Sequence, residues 1–443
     1  MRAREGETIA TRTRLGPLAI VAALALTVAS CGTVPNMTTL PAVSPTVTVP
    51  AGMPIVLTVA GRFEDTALAV LDQQIAAFEA ANPDVRVELV QAPRTAAERR
   101  LEMIDTLQDE DAGVDIVALD LQWLSEFAAA GRLEPLDDRL LAADIEPAAF
   151  LPAAIQASTV GGHLVALPWA MDAGVLYYRD DLLTSSGLGL PATWPDVQRL
   201  ALDLKARAGL PAGMEWPGAA NETLTCVALE FIWANGGQVL DEAGQVAFDS
   251  PQTRAGLQQM LDFLASGASP AEVVDYREND ALDAFRDGKA ALMRNWTYAW
   301  SRANQPGSAV AGHVGVAPLP ASCLAGQALA LPVHGLHKPE AMRFLAFLTA
   351  YDQQIQLAQQ AGLPPALAAA FDAPALAATG GWGELYTVLA AARPRPMTPA
   401  YAVLSPIIYT EVHRMLAGEQ DAATTAVNIQ RQAESAIHPG ETP

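Results

Sequence analysis

The sequence predicts an α/β fold built as two lobes, on three observations. Strand-like and helix-like runs alternate along the chain, the alternation restarts after Trp169, and 443 residues exceed what one sheet ordinarily organises. Ile55-Val-Leu-Thr-Val-Ala60 is a short β-rich run. Leu68, Leu71, Ile75 and Phe78 then recur at helical spacing until Asn82-Pro83 stops the helix. Val85 to Val90 alternates as a strand, Ala96 to Leu107 is helical, and Asp115-Ile-Val-Ala-Leu119 has the continuous apolar character of a buried strand. Gln122 to Ala130 is a helix closed by Gly131. The second half opens with Gly174-Val-Leu-Tyr-Tyr178 as a strand, followed by helices near 194–208, 222–235 and 251–266. The central sheet is expected to be largely parallel. Ligands of such sheets sit beyond the carboxyl ends of the strands, where Asp120 lies.

Composition narrows the function. Apolar residues form 51% of the chain and charged residues 17%, so the chain can bury large cores. The net charge of -22, from 27 basic and 49 acidic side chains, disfavours phosphate backbones and hence nucleic acid as a partner. Three cysteines, Cys31, Cys226 and Cys323, and six histidines offer no metal-site or redox spacing. Cys226 lies in an apolar helical run, which predicts a buried free thiol. A disulfide with Cys323, placed in a loop, is the alternative in an oxidising compartment.

The first thirty residues form an address. Arg2, Arg4, Arg12 and Arg14 precede an apolar run from Leu15 to Ala29, too short for a membrane span and typical of a secretory signal. The run ends in Val28-Ala29-Ser30-Cys31, which resembles the lipobox of bacterial lipoproteins. That resemblance implies cleavage before Cys31 and lipid attachment to it, anchoring the protein to the outer face of the cell membrane. Removing residues 1–30 takes away four arginines and two glutamates, shifting the charge from -22 to -24. Residues 31–54, rich in Thr, Val and Pro, have the composition of a tether.

Further segments, in order, resemble the solute-binding proteins of ABC sugar importers, the trehalose/maltose-binding branch in particular. They include Ala77-Phe-Glu-Ala-Ala-Asn-Pro83, Asp115-Ile-Val-Ala-Leu-Asp-Leu-Gln-Trp123 and Gly131-Arg-Leu-Glu-Pro-Leu-Asp-Asp138. The stretch from Ala166 to Leu182, Phe231-Ile-Trp-Ala-Asn-Gly-Gly237, Gly288 to Trp300, Gly315 to Pro320 and Arg393-Pro-Arg-Pro396 continue the match. The resemblance implies a periplasmic-binding-protein fold like that of maltose-binding protein, with the ligand cleft between the lobes. It assigns 55–170 plus 325–362 to lobe one and 171–322 plus 363–437 to lobe two. It also implies a monomer that hands a disaccharide or oligosaccharide to membrane permease subunits, without cofactor or catalysis.

A sugar offers hydroxyls at its rim and C–H patches on its faces, so its site needs carboxylates, Arg or Asn, and aromatic rings. Asp120 and Asp172 each follow an apolar run and match the family's ligand acids; helix caps or surface acids are the plainer alternative. Trp296 matches the stacking segment, with Asn295 and Tyr298 as weaker candidates. Trp300, four residues on, shares a helical face with Trp296 if that stretch is helical, and core packing is the alternative for either ring. Arg395 is held between two prolines, which stiffen its loop. Arg99 or Arg100 matches a ligand arginine, Arg100 being preferred. Glu64 and Glu222 add carboxylates, though Glu222 also suits a helix N-terminus. Trp169 is either a compensating ring or buried core. Two departures stand out: Ala170 and Gln327 occupy positions where the branch carries aromatic rings. Two other function classes stay open, a secreted glycosidase, which also pairs carboxylates with Trp, and a receptor for a polyol or glycerophosphodiester.

Overall fold

The computed structural model describes residues 53–437. Cys31, the signal segment and nearly all of the tether lie outside the described residues. One continuous sheet path, β2-β1-β3-β10-β6-β8-β7, organises the rest, with β9 also paired to β6. The first half comprises β1 (Ile55–Gly61), β2 (Val85–Gln91) and β3 (Ile116–Asp120), all parallel. A small hairpin, β4 (Thr159–Val160) and β5 (His163–Leu164), stands apart from this sheet. β6 (Leu167–Arg179) then runs through both halves. The second half adds β7 (Ala212–Glu215), β8 (Ala290–Trp296) and β9 (Val314–Ala317), and β10 (Leu324–Ala330) returns to the first.

The predicted elements are present, with a helix at Asp65–Ala81, another at Ala96–Gln108 and a third at Trp194–Ala208. The sheet is mixed rather than largely parallel: β6 and β10 run antiparallel to their neighbours, and parallel pairs are confined to β1–β2, β1–β3 and β7–β8. The reason is connectivity. A chain that leaves one lobe and comes back must cross in both directions, and adjacent crossing strands pair antiparallel.

β6 changes partners within its length. Residues from Leu167 to Ala173 pair with β10, and residues from Gly174 onward pair with β8 and β9. Gly174 is required there, since a Cβ would meet Glu230 Oε1 at 1.9 Å. Two apolar clusters result. One gathers Leu57, Val59, Phe78, Leu119 and Phe344 and continues into the second half through Phe285, Met293 and Val316; the other gathers Trp194, Phe231, Phe263, Leu292 and Met415. In the second, Trp194 stacks on Phe231 with ring centroids 3.7 Å apart.

After β10 the chain touches both halves: the cluster that holds Ala366, Phe371, Leu376 and Leu389 also takes in Phe285, Met293 and Val316, and the helix Trp382–Ala391 packs on β6 and β9. The Ala366 carbonyl accepts from Leu151 N at 2.9 Å, and Pro364 O accepts from Met171 N at 2.9 Å. Only beyond Arg393, which bonds through its backbone to Ser322 and Leu324, does the chain enter the second cluster, at Leu404, Ile408 and Val412.

Cys226 and Cys323 form a disulfide, with Cα atoms 5.6 Å apart, which replaces the predicted free thiol. Cys323 leaves its loop at a bridge to Arg393, so the bond ties the helix Glu222–Ala234 to the start of β10. Among the described residues no helix is long and apolar enough to cross a membrane.

Candidate functional site

A cleft of about 1060 Å³ opens between the two halves, beyond the ends of β1 and β3 and beside the crossing strands β6 and β10. It is ample for a small ligand, whose pockets run to about 300–1,000 Å³.

On the first wall, Asp120 ends β3. Its Oδ2 accepts from Arg99 Nη2 at 2.7 Å, and its Oδ1 accepts from Gln327 Nε2 at 3.2 Å. The same Gln327 amide donates to Arg62 O at 3.2 Å. Gln327 is brought there by Gly326, whose φ of +129° lies where side chains are strained and whose Cβ would meet Ala170 O at 2.5 Å. Thr95 caps the helix that carries Arg99, accepting from Glu98 N. Arg99 lies 5.4 Å from the Trp123 ring centroid, and Phe63 completes this wall.

The second wall centres on Asp172 of β6. Its Oδ1 accepts three bonds: from Ala173 N at 2.8 Å, from Thr297 N at 2.8 Å and from Thr297 Oγ1 at 2.6 Å. Its other oxygen makes no hydrogen bond among the described residues and is available to the cleft, which Asp172 lines. Burial pushes its carboxyl up to about 6, opposed by those three donors and the Arg294 charge. Trp296, the last residue of β8, lines the cleft with one ring face backed by the Arg294 guanidinium, 4.3 Å from the ring centroid. Arg294 is itself buried and held bidentately by Glu230, at 2.6 and 2.9 Å.

A third group enters from the end of the chain. Arg395, 7% exposed, donates to Glu222 Oε1 at 2.8 Å, and Glu222 also accepts from the Tyr401 and Ser405 hydroxyls. Burial, with the Glu222 charge beside it, pushes the Tyr401 phenol well above its ordinary range. Glu222 opens the helix Glu222–Ala234 and also lines the cleft.

The structure thus brings Asp120, Asp172, Trp296, Arg395, Arg100, Glu64 and Glu222 to one cleft. Three readings need correction. Arg99 is the arginine that pairs with Asp120, whereas Arg100, though it lines the cleft, is committed to Glu126. Trp169 is 1% exposed and packs edge-on against Phe63, centroids 5.7 Å apart, beneath the cleft rather than in it. Trp296 and Trp300 share no helix, because β8 ends at Trp296 and the next helix begins at Ala299. Asn295 is buried, its amide donating to Glu278 O at 2.8 Å, and neither it nor Tyr298 lines the cleft. Glu64 is at the rim, 68% exposed and paired with Arg62 at 3.2 Å. Thr297, Tyr401 and Ser405 were missed, and Gln327 was read only as a lost ring. Of the three missed, only Thr297 carried a signal, its place directly after Trp296.

The sequence signature of the family described as "bacterial extracellular solute-binding protein" spans residues 63–355, and so takes in both walls. The chain belongs to that family. It is a solute-binding, non-catalytic family, which sets aside the glycosidase alternative. A probable ABC transporter-binding protein of Deinococcus radiodurans is 35% identical over 326 residues, covering 70% of this chain and 76% of that one. A mannitol-binding protein of Pseudomonas aeruginosa is 26% identical, covering 79% and 81%. Among solved structures, maltose-bound MalE3 of T. maritima superposes with a TM-score of 0.76 at 35% identity, covering 85% of this chain and 98% of that one. The fold is therefore that of the maltose-binding-protein-like members of the family, α/β and two-lobed.

Proposed function

We propose that this protein is the receptor of an ABC importer: it captures a sugar in the cleft, closes its lobes around it and delivers it to membrane permease subunits. The observation that carries the reading is the pairing of opposite walls. Asp120 with Arg99 faces the cleft from one side, and Asp172 with the Trp296 ring faces it from the other. A hydroxylated ring bonded by both carboxylates and covered by Trp296 makes its full set of contacts only when the walls approach. Ligand then stabilises the closed form by the difference in contacts between open and closed. Bending falls to the crossing strands, β6 at Ala173 and Gly174 and β10 after Cys323. The lobes are then centred on 55–173 and 174–323, with the chain after β10 contributing to both.

A disaccharide is the favoured ligand, supported by the likeness to a maltose-bound protein at 35% identity. A polyol is the second reading, supported by the mannitol-binding relative and by Gln327, which puts an amide on the first wall where a ring would stack. Cys31 is the lipid anchor in this reading, holding the receptor as a monomer on the outer face of the membrane. A thermal-shift screen of the full-length chain in detergent, against disaccharides, oligosaccharides and polyols, tests it. Ligand at a hundredfold excess over its dissociation constant adds about 2.7 kcal/mol of stability. A shift with one class, lost in Asp172→Ala, supports the proposal; no shift with any class refutes it.

A further inference from the structure

Six arginines line the cleft, Arg62, Arg94, Arg99, Arg100, Arg277 and Arg395, and no lysine does. That is an unexpected density of cations in a chain of net charge -22. Four of them are neutralised by a carboxylate: Arg62 by Glu64, Arg99 by Asp120, Arg100 by Glu126 and Arg395 by Glu222. Arg94 and Arg277 are not paired with any carboxylate among the described residues, and both are exposed. They come from opposite walls. Arg94 directly precedes the capping residue of the helix Ala96–Gln108, and Arg277 directly precedes the helix Glu278–Arg286.

Three carboxylates near them in sequence are otherwise engaged. Glu98 accepts from the Thr95 hydroxyl at 2.6 Å, Glu278 accepts from the Thr223 hydroxyl, and Asp280 accepts from the Arg277 backbone amide at 2.8 Å. A planar guanidinium is the side chain suited to two-pronged recognition of an oxyanion, and both arginines lie in the chain at helix starts, whose dipoles favour negative charge.

Resting on the reading of the cleft as a sugar site, we infer that its solute carries an oxyanion, a carboxylate, phosphate or sulfate on a sugar. Arg94 holds it from the first wall and Arg277 from the second. The anion adds a contact that exists in full only in the closed form, so it strengthens both affinity and closure. It also gives selectivity, because the surrounding acidic surface repels anions that lack the hydroxyls Asp120 and Asp172 require.

Calorimetric titration of the full-length chain in detergent with matched pairs tests this: maltose against maltobionate, and glucose against glucuronate, glucose 6-phosphate and glucose 6-sulfate. The acidic member of at least one pair is expected to bind about tenfold more tightly, which is about 1.4 kcal/mol. Which acid leads identifies the oxyanion. The preference should fade between about 0.01 M and about 1 M salt, as the screening length contracts from about 30 to about 3 Å. In Arg94→Gln and in Arg277→Gln the acidic-to-neutral affinity ratio should fall toward one. Neutral sugars that bind as well as their acidic partners, or a ratio unmoved by either substitution, overturn the inference and leave the sugar-receptor reading standing. Binding by no member of any pair overturns both.

Discussion

On the first wall of the cleft, Asp120 receives a guanidinium from Arg99 and an amide from Gln327. On the second, Asp172 receives only neutral donors, two backbone amides and the Thr297 hydroxyl. Both carboxylates sit on strands and line the same space, yet they are built for different work. The first wall is a charge-balanced surface whose acid is engaged at both oxygens before ligand arrives. On the second, burial raises the carboxyl of an acid that keeps one oxygen open, and its cation, Arg294, stands back under Trp296. The lesson is that a paired carboxylate supplies position, while one left half-satisfied supplies affinity. A ligand hydroxyl gains most where it completes an unfinished set of bonds.

That contrast is exposed to four tests. The largest effect belongs to the support of the second wall. Glu230→Gln leaves the buried Arg294 guanidinium without its partner and is expected to cost about 3–5 kcal/mol of stability, measured by urea unfolding. A loss below about 1 kcal/mol would mean the pair does not brace that wall.

Next is Asp172→Ala, expected to weaken binding of the identified solute by about 2–3 kcal/mol, roughly 30- to 150-fold in a titration. Its melting temperature at neutral pH should hold or rise. Asp120→Ala should instead lower the melting temperature, because it strands Arg99. Equal melting behaviour in the two variants would erase the contrast between the walls.

The pH dependence sharpens it further. The carboxyl of Asp172 is raised from 3.8 to about 6, and that of Glu215, buried in β7, from 4.5 to about 7. The folded state therefore binds more protons than the unfolded one across this window. The contribution of these two groups to stability is greatest on the acid side and declines as pH rises from about 4 to about 7. Solute binding should run the opposite way, strengthening as Asp172 ionises. Urea midpoints and titrations at pH 5 and 7.5, compared with Asp172→Asn and Glu215→Gln, check both slopes. A midpoint that rises with pH and is unaffected by either substitution contradicts the assignment.

The smallest effect is Gln327→Leu. It removes a neutral donor from Asp120 at about 1 kcal/mol, a several-fold loss of affinity in the same titration.

Much of the fold was legible because its elements obey local rules. The helical spacing of Leu68, Leu71, Ile75 and Phe78, the continuous apolar run into Asp120 and the Gly131 stop each depend on neighbours in sequence. Asp120 was legible for the same reason, since a polar residue ending an apolar strand sits at the end of the sheet; Asp172, inside β6, was legible through the family resemblance. The choice between Arg99 and Arg100 was beyond the sequence, because adjacent helical positions point about 100° apart and the helix's rotation about its axis is a packing outcome. Gln327 was read as a lost ring. Its role as a donor to Asp120 depends on β10 pairing with β3, a contact across 207 positions.

By itself, then, the sequence determined the alternation of strands and helices, the two-lobed α/β class, the family and the cleft position of Asp120 and Asp172. These follow from periodicity and from short motifs in order, whose physics is local. Tertiary structure alone decided which arginine meets Asp120, that Trp169 is core and Trp296 is cleft, and that Cys226 joins Cys323. Each of these is a choice between chemically acceptable partners, and only the distances set by the assembled sheet select one.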